Sequence, residues 1–92
     1  MTDAEALMEF GGLGPIMRHY KGGVYLILER GLMHYKDSVQ KEPSFEPAYH
    51  YRHLWPHAPG THFRAVEEFE NARTANGDMK WVHLNPTIHP LP

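Results

Sequence analysis

Apolar and polar positions change their spacing several times along the chain, and each change marks an element. Over residues 2–10, Ala4, Leu7 and Met8 recur at helical spacing, and Thr2 with Glu5 fits a capping box. A short helix is expected there, ended by Gly11-Gly12 and Gly14-Pro15. So short a helix is marginal alone, so it is expected to dock on the body of the domain. Residues 16–21 and 24–29 then read as two strands joined by a tight turn at Gly22-Gly23. In the second strand Val24, Leu26 and Leu28 share one face while Tyr25 and Ile27 share the other. Apolar residues on both faces predict a strand packed on two sides. Gly31 is expected to bend or bulge the chain before residues 32–37 run on.

Residues 37–47, interrupted by Pro43 and Pro47, read as a polar loop. A strand resumes over 48–55, with Tyr49, Tyr51, His53 and Trp55 alternating against His50, Arg52 and Leu54. Pro56, Pro59 and Gly60 force a turn. A short strand over 62–66, a helical turn over 67–73 around Phe69, and an Asn76-Gly77 hairpin leading into residues 79–85 complete the pattern. Short strands, tight turns and one helical turn predict an all-β domain, a single small SH3-like β-barrel of about five strands. An N-terminal helix or arm (1–13), the barrel (14–86) and a proline-punctuated tail (87–92) are the expected divisions.

Composition narrows the function classes. At 92 residues and with 41% hydrophobic and 22% charged residues, the chain suits one ordinary globular domain. The sequence has no cysteine, which removes disulfides, thiolate metal sites and cysteine nucleophiles together. No apolar run is long enough for a membrane span. The acidic N-terminus lacks the basic region of a secretory signal, so a cytoplasmic protein without a membrane partner is expected. A formal charge of −2 disfavours binding of duplex nucleic acid by bulk electrostatics. Residues 16–36 nevertheless carry Arg18, Lys21, Arg30 and Lys36 against Glu29 alone.

Candidate chemistry lies in four places. Arg18, His19, Tyr20 and Lys21 combine a donor fork and a stacking ring, a pairing suited to an anion or a nucleotide. The alternative is that Arg18 merely pairs with a nearby glutamate while Tyr20 packs. The stripe Tyr49, Tyr51, His53 and Trp55 offers either stacking surfaces for bases or a protein-binding groove, or else one wall of the core. His50, His53, His57 and His62 are spaced for a metal only if they converge, and His50 and His53 point to opposite faces of one strand. No metal or cofactor is expected. Glu67, Glu68 and Glu70 read as solvated carboxylates, one of them paired with Arg64 or Arg73. No nucleophile motif and no phosphate-binding glycine loop occurs, so no enzymatic activity is expected.

Several of these residues fall into a longer ordered pattern. Arg18-His19-Tyr20-Lys21-Gly22, Val24-Tyr25 and Leu28 open it, and His34 follows. Glu46-Pro47, Tyr51-Arg52 and Leu54-Trp55 come next, then Gly60, Arg64, Val66, Glu67 and Phe69, then Asn76-Gly77, Lys80-Trp81 and Pro86. Over about residues 14–86 this resembles a small prokaryotic and phage family, domain of unknown function 1653. His62 and Ala65 stand where that family usually has tryptophan and proline, and the segment 35–45 is longer. The resemblance implies an SH3-like barrel and brings no catalytic residues. Its phage distribution suggests an anti-defence or regulatory role, such as sequestering a signal nucleotide.

The expectation is therefore a non-enzymatic binding module. It would hold a small anionic or nucleotide-like ligand on Arg18, His19, Tyr20, Lys21, Tyr51, Arg52, Trp55 and Arg64. A different reading is a protein–protein adaptor that docks through the aromatic stripe and the N-terminal helix, with a homodimer as one form. A remote third is a histidine-based, metal-dependent hydrolase.

Overall fold

A computed structural model describes residues 1–36 and 43–85. Helix α1 (Asp3–Phe10) leads through a 3₁₀ turn (Gly11–Leu13) into β1 (Ile16–His19), β2 (Val24–Lys36), β3 (Pro43–Trp55) and β4 (Thr61–Ala65). Helix α2 (Val66–Asn71) and β5 (Trp81–His83) follow. All strands join one antiparallel sheet in the order β4-β3-β2-β1-β5, so the chain meanders outward and β5 returns beside β1. The domain is mostly β, as the strand-rich pattern requires. Among the described residues β4 and β5 do not pair with each other, and they form the two edges of the five-stranded sheet.

The two-sided character of β2 organises the packing. Tyr25 and Ile27 join Met17, Tyr49, Tyr51, Phe69 and Trp81 in one buried cluster, with Val66 against it. Val24 and Leu26 join Ile16 and Ala6 in a second, against which Phe10, Leu54, Trp55 and Leu84 pack. The sheet therefore has an inner face covered by α2 and an outer face covered by α1. Phe69, 1% exposed, is the plug of the inner cluster, within 5.4 Å of the Tyr49 and Tyr51 rings and 4.4 Å of Trp81. Helix α1 carries the expected capping box, with Thr2 Oγ1 accepting from the Glu5 amide and the Glu5 carboxylate accepting from the Thr2 amide. It docks through Ala6 and Phe10.

Turns form where the glycines require them. Gly22 has φ +103°, open to glycine and rarely to other residues, and a Cβ on Gly23 would sit 2.7 Å from the Tyr25 hydroxyl oxygen. Gly77 has φ +87° in the Asn76-Gly77 turn, which Arg73 and Met79 bridge. Asn85 ties the end of β5 to the start of β1, since its side chain accepts from the Ile16 amide and donates to the Gly14 carbonyl.

Three expectations change. The bulge falls at Leu28, between the Ile27–Tyr51 and Glu29–His50 pairs, whereas Gly31 pairs regularly with Ala48. The part of the expected loop at 43–47 is strand, because residues 31–36 pair in continuous register with 43–48 despite the prolines. These residues form a two-stranded ribbon beyond the edges of β1 and β4, so Pro43 and Pro47 pair with β2 on one side and have no described strand on the other. Residues 37–42 and the tail after 85 lie outside the described residues. Third, a register shift opposite Val24 and Tyr25 adds a residue on β3, so Leu54 and Trp55 both pack with the outer cluster. The stripe of four rings is thus broken at Trp55.

Candidate functional site

Alternation along each strand decides where the charged and aromatic side chains go. Pairing places Met17, His19, Tyr25, Ile27, Tyr51, His62, Arg64, Trp81 and His83 on the inner face. It places Ile16, Arg18, Leu26, His50, Arg52 and Phe63 on the outer face. The eight residues expected to share one surface are therefore divided. His19, Tyr51 and Arg64 come together on the inner face, with Tyr20 and Lys21 in the turn beside His19. Arg18 and Arg52 lie across the sheet, and Trp55 packs toward the outer cluster. Arg18 pairs with an acid on the N-terminal helix, its Nε 2.7 Å from the Asp3 carboxylate.

Arg64 is the centre of the inner group. Its Nε donates to the Tyr51 hydroxyl at 3.2 Å, and its Nη1 donates to the Glu68 carboxylate one helical turn further on. The guanidinium carbon lies 5.6 Å from the Trp81 ring centre and 6.0 Å from that of Tyr51, a cation–π arrangement on a buried aromatic floor. Burial works against the charge, and the Tyr51 and Glu68 hydrogen bonds more than offset it, so the pKa lies above its ordinary value. The Tyr51 and Glu68 bonds use two of the five guanidinium N–H donors.

His19 packs on Trp81 with ring centres 4.6 Å apart. Its Nδ1 accepts from the Lys21 amide at 3.3 Å, so the neutral ring carries its proton on Nε2 and can donate it. Burial lowers the His19 pKa, and Arg64, Lys21 and Lys80 lower it further, against a smaller opposing effect of Glu68. Tyr20, 44% exposed, has the Lys21 and Lys80 ammonium groups 5.7 and 5.9 Å from its ring centre. Three cations and an imidazole thus rim a floor of aromatic rings. A carboxylate, phosphate or phosphate ester finds fork donors, point charges and stacking surfaces here within one small region.

The histidines expected to diverge do so. His50 stacks on Phe63 on the outer face at 4.4 Å, while His53 faces inward. His53 lies 4.5 Å from His62 and 5.4 Å from His57, ring centre to ring centre. Among the described residues no group of three His, Cys, Asp or Glu side chains is placed to hold a metal ion. Lys80, Trp81 and His53 belong to the site but were missing from the expected set. A sequence signal existed for the first two in the Lys80-Trp81 pair. Their partnership with His19 depends on β5 pairing with β1, which spacing alone does not reveal.

A cleft of about 240 Å³ opens on the other side of α2, between it and the root of the ribbon. Glu46, Glu67 and Glu70 line it against Arg30 alone, so it would repel an anion. Among the described residues no helix is long and apolar enough to cross a membrane. Comparison with family models, with curated proteins and with solved structures returned no match.

Proposed function

We propose that the chain is a non-enzymatic binding module that holds a small anionic or nucleotide-like ligand on the inner face. The observation that carries this reading is Arg64 laid over Trp81 and Tyr51, with His19, Lys21 and Lys80 around it. The ligand's anionic group meets the free donors of Arg64 and the Nε2–H of His19, and an aromatic part stacks on the half-exposed Tyr20 ring. Membership of domain of unknown function 1653, and with it a role in phage or bacterial regulation, is part of this proposal and rests on the ordered residue pattern.

The test is native mass spectrometry of the protein as purified from cells, with equilibrium binding of a nucleoside monophosphate alongside. A bound anion is expected on the wild type and on the outer-face variant Arg52→Ala, and is expected to be lost from Arg64→Ala. A bare wild-type protein that also fails to bind the nucleotide saturably overturns the reading. Loss on Arg52→Ala with retention on Arg64→Ala would move the site to the other face.

The adaptor reading needs a different surface from the one first expected. Tyr49 and Tyr51 are buried in the inner cluster, so the stripe offers no free docking face, while α1 docks through Ala6 and Phe10 and leaves Met8 88% exposed. What favours a protein partner is Leu32, Phe45 and Phe63, which are 70%, 61% and 67% exposed on the ribbon and on β4. A co-purifying polypeptide lost on Phe63→Ser would support it.

A further inference from the structure

We infer that the inner-face ligand is a phosphate-class polyanion and that its binding draws a proton onto His53, the centre of a His53–His57–His62 cluster. This rests on the functional reading above and adds the class of ligand and its linkage to pH. The geometry begins at His53, whose ring stacks on His62 at 4.5 Å and 26°, lies 5.4 Å from His57, and meets the Tyr25 ring edge-on at 4.9 Å. Tyr51 joins His53 at 6.0 Å and His62 at 5.9 Å, and its hydroxyl accepts from Arg64. The cluster is therefore continuous with the Arg64 site through one ring.

The charged and titratable groups that act on His53 are His57 in the turn after β3 and His62 and Arg64 on β4, with the Tyr25 and Tyr51 rings in contact. His19, Lys21, Lys80 and Glu68 lie around Arg64 on the adjoining part of the inner face. Glu68 is the one carboxylate in this set, and it is bonded to Arg64. No carboxylate among the described residues pairs with His53, His57 or His62, whereas His50 and His83 elsewhere each have one. A proton arriving on His53 thus meets the Arg64 cation and two further imidazoles, with no described carboxylate bonded to any of the three rings. Burial holds the His53 pKa below its ordinary value, and His62, His57 and Arg64 hold it lower still.

Two consequences follow. A carboxylate monoanion would be satisfied by the Arg64 fork, which Glu68 already engages in part. The additional His19, Lys21, Lys80 and histidine-cluster positions match a group with more than one negative charge, such as a phosphate ester or a diphosphate. The field of that group favours the imidazolium form of His53, which burial and its neighbours disfavour in the free protein. By linkage, binding takes up protons, and affinity increases as pH falls through the histidine range.

The test uses methanedisulfonate, a divalent probe that does not titrate between about pH 5 and 8, with acetate as the monoanion control. Histidine ring resonances are followed by NMR against pH with and without probe, and the dissociation constant is measured across the same range. The expected result is an upward pKa shift for His53, with affinity at least about threefold tighter at pH 6 than at pH 7.5, a rise of up to about tenfold per pH unit being the limit for one linked proton. His53→Gln should reduce that pH dependence. Saturable probe binding with unchanged histidine pKa values overturns this inference and leaves the binding module standing. Acetate binding as tightly as the disulfonate overturns the ligand class. Failure of both probes to bind at any pH overturns the inference together with the reading beneath it.

Discussion

Glu68 holds the Arg64 guanidinium, and the anionic ligand proposed above would have to share or displace it. Glu68→Gln should therefore move stability and ligand affinity in opposite directions. Both partners are partly solvated, with side-chain exposures of 37% for Arg64 and 46% for Glu68, so the pair belongs with surface ion pairs, worth about 0.2–1 kcal/mol. Losing that much should lower the melting temperature by about 1–8 °C in a domain of this size. Relieving the same competition should tighten anion binding by about 1.4- to 5-fold. Loss of Glu68 also withdraws the small effect that favours a charged His19, which opposes the gain without reversing it at neutral pH. Urea unfolding reads the stability change, and calorimetric titration with a nucleoside monophosphate reads the affinity. A variant that is less stable and also binds less tightly would refute the reasoning, because Glu68 would then support the site instead of competing for it.

Other expectations follow from the same geometry. Phe69→Ala removes the plug between Tyr49, Tyr51 and Trp81 and should cost about 3–5 kcal/mol, visible as loss of a cooperative urea transition or a much lower midpoint. Thr2→Ala removes the capping-box oxygen and should cost about 0.5–2 kcal/mol at most, without changing anion affinity, because α1 covers the outer face. The apo protein should lose stability on acidification. Burial, with neighbouring cations, lowers His53 and His19 from the ordinary 6.5, so just below that pH the unfolded chain binds more protons than the folded one. Stability is then full above about pH 7 and falls as the pH drops toward the folded-state pKa values. Urea midpoints that stay flat between about pH 7.5 and 5.5 would contradict this.

Local chemistry was legible in the sequence wherever it was decided locally. The Thr2–Glu5 capping box, the Gly22-Gly23 turn, the Asn76-Gly77 turn and the two apolar faces of β2 over 24–27 need only near neighbours, and all are present, whereas Leu28, expected on the Val24 face, lies at the bulge 38% exposed. The ribbon was not legible, because residues 43–47 look polar and proline-broken by themselves. They are held by pairing with 31–36, whose register is inherited from the core strands. The site was half legible for a related reason. Period-two alternation separates His50 from His53 correctly, but it also predicts Trp55 beside Tyr51, and a bulge of one residue cancels that prediction.

The division between faces also explains why so small a domain can carry a polar site without losing its core. An inner sheet face that must bury Tyr25, Tyr49, Tyr51, Phe69 and Trp81 also has phenol and indole polar atoms to satisfy, and no buried side-chain N or O atom lacks a partner among the described residues. Arg64 serves the Tyr51 hydroxyl, and in doing so its charge is fixed over the rings. The same residue thus completes the packing and presents a cation at the edge of the cluster. Removing it would expose a fault in the core as well as in the site, so a charge-retaining Arg64→Lys is the more informative variant. Lysine keeps the cation but lacks the planar fork, and cannot serve Tyr51, Glu68 and a ligand in the same geometry. If the domain folds with lysine and loses its anion, the fork itself is the recognition element. If the anion is retained, charge alone suffices and the aromatic floor matters chiefly for packing.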